Sequence, residues 1–200
     1  MSKGIYEEIE RRITEAPCGS VFVTSDFKDV AAAATVRKCL GRQVDENRII
    51  RIIDGVYEKP KYSRLLGENV STDPDAVAKA LARAYHWTIA PCGDVALNLL
   101  GLSTQVPAVW SYISDGPYRS FSWESVSIQF RHRANREISN LSEISSLIVE
   151  AIKALKKERV DDNVIAMLKK RIPDTEKEKI LRETIGVSDW VYSVIRKVCG

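Results

Sequence analysis

The chain has 200 residues, 44% of them hydrophobic and 28% charged, and a formal net charge of +3 from 30 basic and 27 acidic side chains. This composition is typical of a globular protein and excludes disorder over most of the length. The net charge is too small to indicate a nucleic-acid partner by itself, so such a partner would have to bind a local basic surface.

The N-terminal region is predicted to contain a helix, a short strand, a short helix and a longer helix. Isoleucines at helical spacing favour the first helix over residues 4–16. The β-prone stretch SVFV and a short helix, DFKDV, come next. Residues 31–47 form the longer helix, in which Val36, Leu40 and Val44 share one face. We expect that face to be buried.

A β-hairpin is predicted directly after the longer helix, over Arg48–Pro60. Its centre, Asp54-Gly55, suits a two-residue type I′ turn. Such a turn pairs the flanking residues two by two: Ile53 with Val56, Ile52 with Tyr57 and Arg51 with Glu58. The order helix, strand, short helix, longer helix, hairpin indicates a winged helix–turn–helix over residues 1–62.

A second domain is expected over residues 72–200, after a polar linker at Lys61–Thr72. Its first helix is predicted to start at Asp73-Pro74, which combine an N-cap with a proline in the first turn. Periodicity then predicts strands near 87–91, 108–114 and 126–131, with a short helix after the first strand and a second Asp-Gly turn between the other two. Helices are predicted near 140–157, 161–171, 175–185 and 188–198. The fold class is therefore α+β: an N-terminal winged helix–turn–helix, then a mixed α+β domain with a helical C-terminal tail.

The outward face of the longer helix is the predicted DNA-contacting surface. With its three apolar residues turned inward, helical geometry turns Thr35, Lys38 and Arg42 outward and places Arg37 on the flank. Alanines at the start of this helix would let its backbone approach a major groove closely. Polar residues of the short helix and the hairpin would contact phosphates. The candidate DNA-binding residues are Ser25, Lys28, Thr35, Arg37, Lys38, Arg42, Arg51, Lys59 and Lys61.

The sequence contains no recognisable catalytic or metal-binding motif. HExxH, GxSxG and Walker-type patterns are absent, and the four cysteines are scattered without a CxxC pair. We therefore expect no catalytic residue, no metal site and no cofactor. His86 and His132 are interpreted as surface or interface histidines. The acidic and lysine-rich stretch at 173–179 is interpreted as a solvated helix start rather than a nuclease site.

We expect a cytoplasmic protein with no membrane partner. Acids interrupt the opening stretch MSKGIYEEIERR, unlike a signal peptide, and no apolar run reaches the ~18–20 residues that span a bilayer. Aromatic residues of the second domain are an alternative interaction surface. The candidate partner-binding residues are the three nearest the second Asp-Gly turn: Trp110, Tyr118 and Trp123.

The stretch FVTSDFKDVAAAATVRKCLGRQVDENRIIRIIDGVYEKP resembles the N-terminal winged helix of AbiEi-type antitoxins of type IV toxin–antitoxin systems. The later segments WTIAPCGDVALNLLGLSTQVP and YISDG are similar to the region after the winged helix in that family and its relatives, so the resemblance runs from Val21 to about Arg133. It implies a bacterial or archaeal protein that represses its own operon and counters a nucleotidyltransferase-type toxin through its C-terminal domain. The DNA-reading positions of that family would fall on the helix that holds Thr35, Lys38 and Arg42 and on the wing that holds Arg51.

These patterns together predict a DNA-binding transcriptional autoregulator, the antitoxin of a type IV pair, with two partners: the double-stranded DNA of its own operator and a cognate toxin protein. One alternative is a solitary winged-helix regulator, or a protein-interaction module without a toxin. A metal-dependent nuclease is a third hypothesis, which the missing site features disfavour.

Overall fold

A computed structural model describes residues 3–134 and 140–200, which fold as a mixed α+β protein. Two compact units are present, the first formed by Met1–Trp87 and Phe121–Ser125, the second by Thr88–Ser120 and Val126–Gly200. None of the described helices has the length and apolar character needed to cross a membrane.

The first unit contains three α-helices and a three-stranded antiparallel sheet among its described residues. The helices are α1 (Lys3–Glu15), α2 (Ala33–Asp45) and α3 (Pro74–Tyr85), and a 3₁₀ turn covers Thr24–Phe27. The strands β1 (Val21–Val23), β2 (Ile50–Ile53) and β3 (Val56–Glu58) lie in the order β1-β3-β2. A two-stranded hairpin of β4 (Tyr62–Ser63) and β5 (Glu68–Asn69) precedes α3.

The inner face of α2 is buried as its periodicity predicted. Val36 and Leu40 are fully buried, and Val44 packs half-buried at the edge of the same cluster. Ile9 and Ile13 of α1 contribute to this cluster from the neighbouring helix. Because this apolar face is enclosed, the opposite face of α2 is left to solvent.

The β2–β3 hairpin forms at Asp54-Gly55, but its register differs from the predicted one. Ile53 does pair with Val56, whereas Arg51 lies opposite Tyr57 and the ladder is irregular between Arg51 and Ile53. Of the two turn residues only Gly55 has a positive φ, +76°, and a type I′ turn needs it at both. The expected pairs of Ile52 with Tyr57 and Arg51 with Glu58 are therefore wrong, because Ile52 is an extra residue in a β-bulge.

The helix α3 belongs to the first unit, so the units do not divide at the predicted linker. Asp73 caps α3 as expected, since its carboxylate accepts a hydrogen bond from the Asp75 amide at 3.0 Å. The Arg83 guanidinium then donates to the Asp26 carboxylate at 3.1 Å and to the Val21 carbonyl at 3.0 Å. These bonds tie the end of α3 to β1 and the 3₁₀ turn, contacts that a domain boundary inside Lys61–Thr72 would separate.

The central strand of the first sheet carries a buried carboxyl group, that of Glu58. Its oxygen accepts a hydrogen bond from the Thr72 hydroxyl. Burial raises the pKa of Glu58 above its ordinary value of 4.5, and the negative charge of Asp73 acts in the same direction. The hydrogen bond from Thr72 acts in the opposite direction, and the net effect is that folding disfavours the charged form of Glu58 relative to the unfolded chain.

We expect Glu58→Gln to melt at a higher temperature than the parent at pH 7. Because folding raises its pKa, Glu58 contributes stability at pH values below its unfolded pKa of 4.5. That contribution is lost as the pH rises through the pKa of the folded state. Glutamine stays neutral and keeps an oxygen that can accept from Thr72. Melting curves at several pH values should show the difference in melting temperature shrinking as the pH falls to 4.5 and below.

Glu68→Gln, at an exposed position of β5, is the control and should change the melting temperature little. A Glu58→Gln protein that melts lower than the parent at pH 7 would contradict this reasoning.

The second unit combines a small sheet with helices α4 to α8. In chain order its elements are β6 (Ile89–Pro91), α4 (Asp94–Leu99), β7 (Trp110–Ser114), β8 (Arg119–Trp123, shared with the first unit), β9 (Val126–His132), α5 (Glu143–Leu155), a 3₁₀ turn (Lys157–Arg159), α6 (Asp162–Arg171), α7 (Asp174–Glu183) and α8 (Asp189–Cys199). The four C-terminal helices agree with the predicted segments within a few residues. Their buried residues, among them Ile148, Ile152 and Ile195, form one apolar cluster.

The strand β7 pairs antiparallel with β6 and parallel with β9. Asp115-Gly116 lies between β7 and β8, but β7 is paired with β6 and β9. The second Asp-Gly turn therefore does not close a hairpin of two paired strands. The predicted alternation in β9 is confirmed for Ile128 and Phe130, which are both fully buried.

Candidate nucleic-acid interface

Three exposed cations lie on or just before the solvent face of α2. Lys28 comes directly after the 3₁₀ turn, and Arg37 and Lys38 occupy the first half of the helix. All three are exposed and make no ion pair with another described residue. Ala33 and Ala34 beside them are also exposed, so little side-chain bulk covers this end of the helix. The surface therefore carries a positive charge, and a binding partner can come close to the helix backbone.

Two acidic groups close to this surface are held by arginines, whereas Asp54, at the β2–β3 turn beside Lys28 and Arg37, is exposed. Asp26 pairs with Arg83 at 3.1 Å, and Asp29 pairs with Arg12 at 2.6 Å. The hydrogen bond from Arg12 lowers the pKa of the Asp29 carboxyl, which favours its charged, paired form. These pairs reduce the repulsion that free carboxylates would exert on a phosphate.

Arg42, a leading DNA-contact candidate, is engaged inside the first unit instead. Its guanidinium lies 4.3 Å from the centre of the Tyr6 ring and donates to the Glu46 carboxylate at 2.8 Å. The Tyr6 hydroxyl also donates to Glu46, and Arg48 pairs with it as well. Hydrogen bonds from Tyr6 and then Arg42 lower the pKa of Glu46. Arg42 therefore fastens the end of α2 to α1, and a DNA role would require it to leave these partners.

Two further candidates also have structural partners. The Lys59 ammonium donates to the carbonyls of Thr14 at 2.7 Å and Ala16 at 2.8 Å, at the C-terminal end of α1. The Arg51 guanidinium donates to the Tyr57 hydroxyl at 3.2 Å and lies 5.4 Å from its ring centre. Lys59 thus satisfies helix-end carbonyls. The predicted phosphate contact by Lys59 does not fit this placement.

A cleft of about 370 Å³ lies between the start of α2, the 3₁₀ turn, the Asp54-Gly55 turn and the end of α3. Lys28 and Arg37 line it, together with Ser25, whose buried hydroxyl oxygen has no hydrogen-bond partner among the described residues. Ala32 is the N-cap of α2 and provides no side-chain cap, so the first amides of the helix carry an uncompensated positive dipole end. Thr35, one position from the fully buried Val36, is only half-exposed. Of the nine predicted DNA-binding residues, Ser25, Lys28 and Arg37 therefore line this cleft together.

The β4–β5 hairpin is a feature that the sequence-based prediction missed. The polar stretch Lys61–Thr72 was predicted to be a linker, yet Tyr62 and Ser63 pair with Asn69 and Glu68. Gly67 adopts φ +72° in the turn, and Leu65 and Leu66 stand exposed beside it. The signal that could have identified it is an apolar pair directly before a glycine within a polar segment.

The three aromatic residues expected to bind a partner differ in exposure. Tyr118 is exposed and Trp110 is half-buried, whereas Trp123 is only 9% exposed. Trp123 therefore cannot present its ring to a partner without a rearrangement, and the prediction for this residue is wrong. Its indole contributes to packing instead.

No metal-binding cluster is formed by residues 3–134 and 140–200. Across these ranges no three His, Cys, Asp or Glu side chains are grouped so that they could hold a metal ion. His132 Nδ1 lies 2.9 Å from the Gly116 carbonyl, and His86 is the exposed C-cap of α3. In the acidic stretch at 173–179, Asp174 pairs with Lys177 at 2.6 Å on the first turn of α7.

Comparison with known families gives one match. Residues 8–180 match a family of unknown function (DUF6088), and because this span covers most of the chain, the protein belongs to that family. No curated protein matches the chain.

Proposed function

We propose that this DUF6088 member is a DNA-binding transcriptional regulator whose N-terminal unit is a winged helix–turn–helix. The observation that carries the proposal is the solvent face of α2 and the turn before it, where Arg37, Lys38 and Lys28 are exposed and unpaired among the described residues. The order α1, β1, 3₁₀ turn, α2, β2, β3 and the sheet order β1-β3-β2 support it, because a winged helix has this sequence of elements.

In this proposal α2 enters the major groove with its N-terminal half. The exposed Ala33 and Ala34 allow the helix backbone to come close to the base edges. Arg37 and Lys38 then reach guanine edges or phosphates, while Lys28 contacts the phosphate backbone beside the helix. The binding free energy would come mainly from released counterions and would depend steeply on salt.

We extend the proposal to an autoregulatory antitoxin in the cytoplasm, which binds its own operator and counters a nucleotidyltransferase-type toxin. This extension rests on the resemblance to AbiEi-type antitoxins. The second unit would meet the toxin, and Tyr118 is the one exposed member of the three aromatic candidates. A solitary regulator remains the alternative if no toxin partner exists.

A salt titration of DNA binding tests the regulator. A labelled duplex from the region upstream of the gene and a scrambled duplex of equal length are titrated with the full chain at about 50 and 200 mM salt. We expect tighter binding to the upstream duplex, and a fall in affinity of about fortyfold between the two salt concentrations for three phosphate contacts, or more if further phosphates are contacted. Failure to bind either duplex at the lower salt would rule out the regulator.

Co-expression tests the antitoxin extension separately. A nucleotidyltransferase encoded beside the gene is expressed with the full chain or with a Lys28→Ala/Arg37→Ala/Lys38→Ala variant. Both should protect the cells, because toxin neutralisation would not need the α2 surface. Point variants are preferable to a truncation at Ser71, which would keep α3 while removing the first-unit residues that Arg83 binds. Growth arrest despite a well-expressed full chain would favour the solitary regulator.

A further inference from the structure

The turn of the β4–β5 hairpin exposes three large apolar side chains close to one another in sequence. Tyr62 is 62% exposed, Leu65 94% and Leu66 64%. The turn is held by a hydrogen bond from the Gly67 amide to the Ser63 carbonyl at 2.9 Å. A second bond runs from the Leu66 amide to the Ser63 hydroxyl at 3.3 Å. Isolated exposed leucines are ordinary, but a cluster at an ordered turn indicates a contact surface.

Basic residues predominate at the tip of this turn. From Lys59 to Gly67 the chain carries three basic residues and no acidic one. Lys61 and Arg64 are both exposed, and neither forms an ion pair with a described residue. The first acid, Glu68, lies beyond the tip on the returning strand. An apolar tip flanked by free cations fits a polyanion with an apolar interior, which is the chemistry of a DNA minor groove.

The solvent face of α2 supplies a reason for such a second contact. Its exposed start is made of Ala33 and Ala34, which offer no hydrogen bond to a base edge. Arg42, which could read a guanine, is occupied by Glu46 and Tyr6. A protein with few base-reading groups can still select a sequence through the cost of deforming it.

We propose that the β4–β5 hairpin is a second DNA-contacting element, which inserts Leu65 and Leu66 between base steps of a minor groove and places Lys61 and Arg64 on the flanking phosphates. This inference rests on the proposed DNA-binding function. Partial unstacking by the two leucines kinks the duplex, so part of the sequence preference comes from how easily each step opens.

The test measures bending and affinity together. The upstream duplex carries a donor and an acceptor dye at its two ends, and energy transfer is recorded as the full chain is added. The parent should raise the transfer, whereas Leu65→Ala/Leu66→Ala should leave it near the free-DNA value and bind about tenfold more weakly. Both leucines are exposed, so melting temperatures should stay unchanged. Val106→Ala, which removes an exposed apolar side chain of the second unit, is the matched control and should behave as the parent does.

A charge variant provides the second readout. Arg64→Ala should lower the slope of log affinity against log salt by about one, as the loss of one phosphate contact does. Lys170→Ala, at an exposed position of α6, should leave the slope unchanged.

Five results would overturn the inference. A parent that binds the duplex without changing the energy transfer, or a double-leucine variant that bends and binds as the parent does, would remove the wedge while leaving the regulator intact. If the double-leucine variant bends DNA as the parent does but loses self-association, the tip would be assigned to contact with a second copy of the chain. If it bends DNA normally but loses toxin neutralisation, the tip would be assigned to contact with a protein partner. No DNA binding by the parent at all would overturn the proposed function and this inference with it.

Discussion

We expect the variant Lys28→Ala/Arg37→Ala/Lys38→Ala to bind the proposed operator roughly two to three orders of magnitude more weakly than the parent at about 0.1 M salt. Each phosphate contact contributes about 0.9 to the slope of log affinity against log salt, so three lost contacts account for a decrease of this size. The same titration should give a slope smaller by about three. The three side chains are exposed, so folding should be unaffected.

Two controls separate this effect from a general loss of charge. Lys169→Ala/Lys170→Ala/Arg182→Ala removes the same charge from exposed positions of α6 and α7 and should change affinity little. Arg42→Ala should weaken binding less than the triple variant, because Arg42 is held by Glu46 and Tyr6. Equal losses of DNA affinity in the Lys28→Ala/Arg37→Ala/Lys38→Ala variant and in the charge-matched control would indicate non-specific attraction instead of a defined interface.

Leu40→Ala is expected to lower the free energy of unfolding by about 2–5 kcal/mol. Leu40 is fully buried on the inner face of α2, in one cluster with Ile9, Phe27 and Tyr57, and its removal leaves a cavity that those side chains refill only partly. Urea unfolding monitored by circular dichroism measures the change. DNA affinity should fall with the folded fraction and recover under conditions that restore folding.

The control for this variant lies two residues away on the opposite face of the same helix. Lys38→Ala should change the free energy of unfolding by no more than about 0.5 kcal/mol while weakening DNA binding. The two variants therefore separate stability from binding within one helix. A stable Leu40→Ala protein would contradict the assigned inner face, and with it the orientation of the cations on the outer one.

The orientation of α2 was predictable because it depends on local periodicity. Apolar residues at Val36, Leu40 and Val44 recur at helical spacing, and burying them leaves only one direction for Lys38. The Asp54-Gly55 turn was predictable for a similar reason, since short loops select a few residue types. The register around it was not, because the bulge at Ile52 depends on how both strands pack.

The roles of individual cations could not be predicted from their positions in the chain. Arg42 and Lys59 have the exposure pattern of DNA-contacting residues, yet Glu46 holds the first and the carbonyls at the end of α1 hold the second. Lys59 and Thr14 are 45 positions apart in sequence. Partners at this separation meet only after the sheet and α1 have packed together.

The amino-acid sequence by itself determined the helices in order, the strands other than those of the β4–β5 hairpin and β8, the buried face of α2 and the Asp54-Gly55 turn. These features depend on side-chain periodicity and backbone preferences within a few residues. The tertiary structure alone decided that α3 joins the first unit, that Trp123 is buried, and that Lys28, Arg37, Lys38, Lys61 and Arg64 remain exposed and unpaired among the described residues. A charged or aromatic side chain finds its partner through space, and that distance is set by packing between segments far apart in the chain.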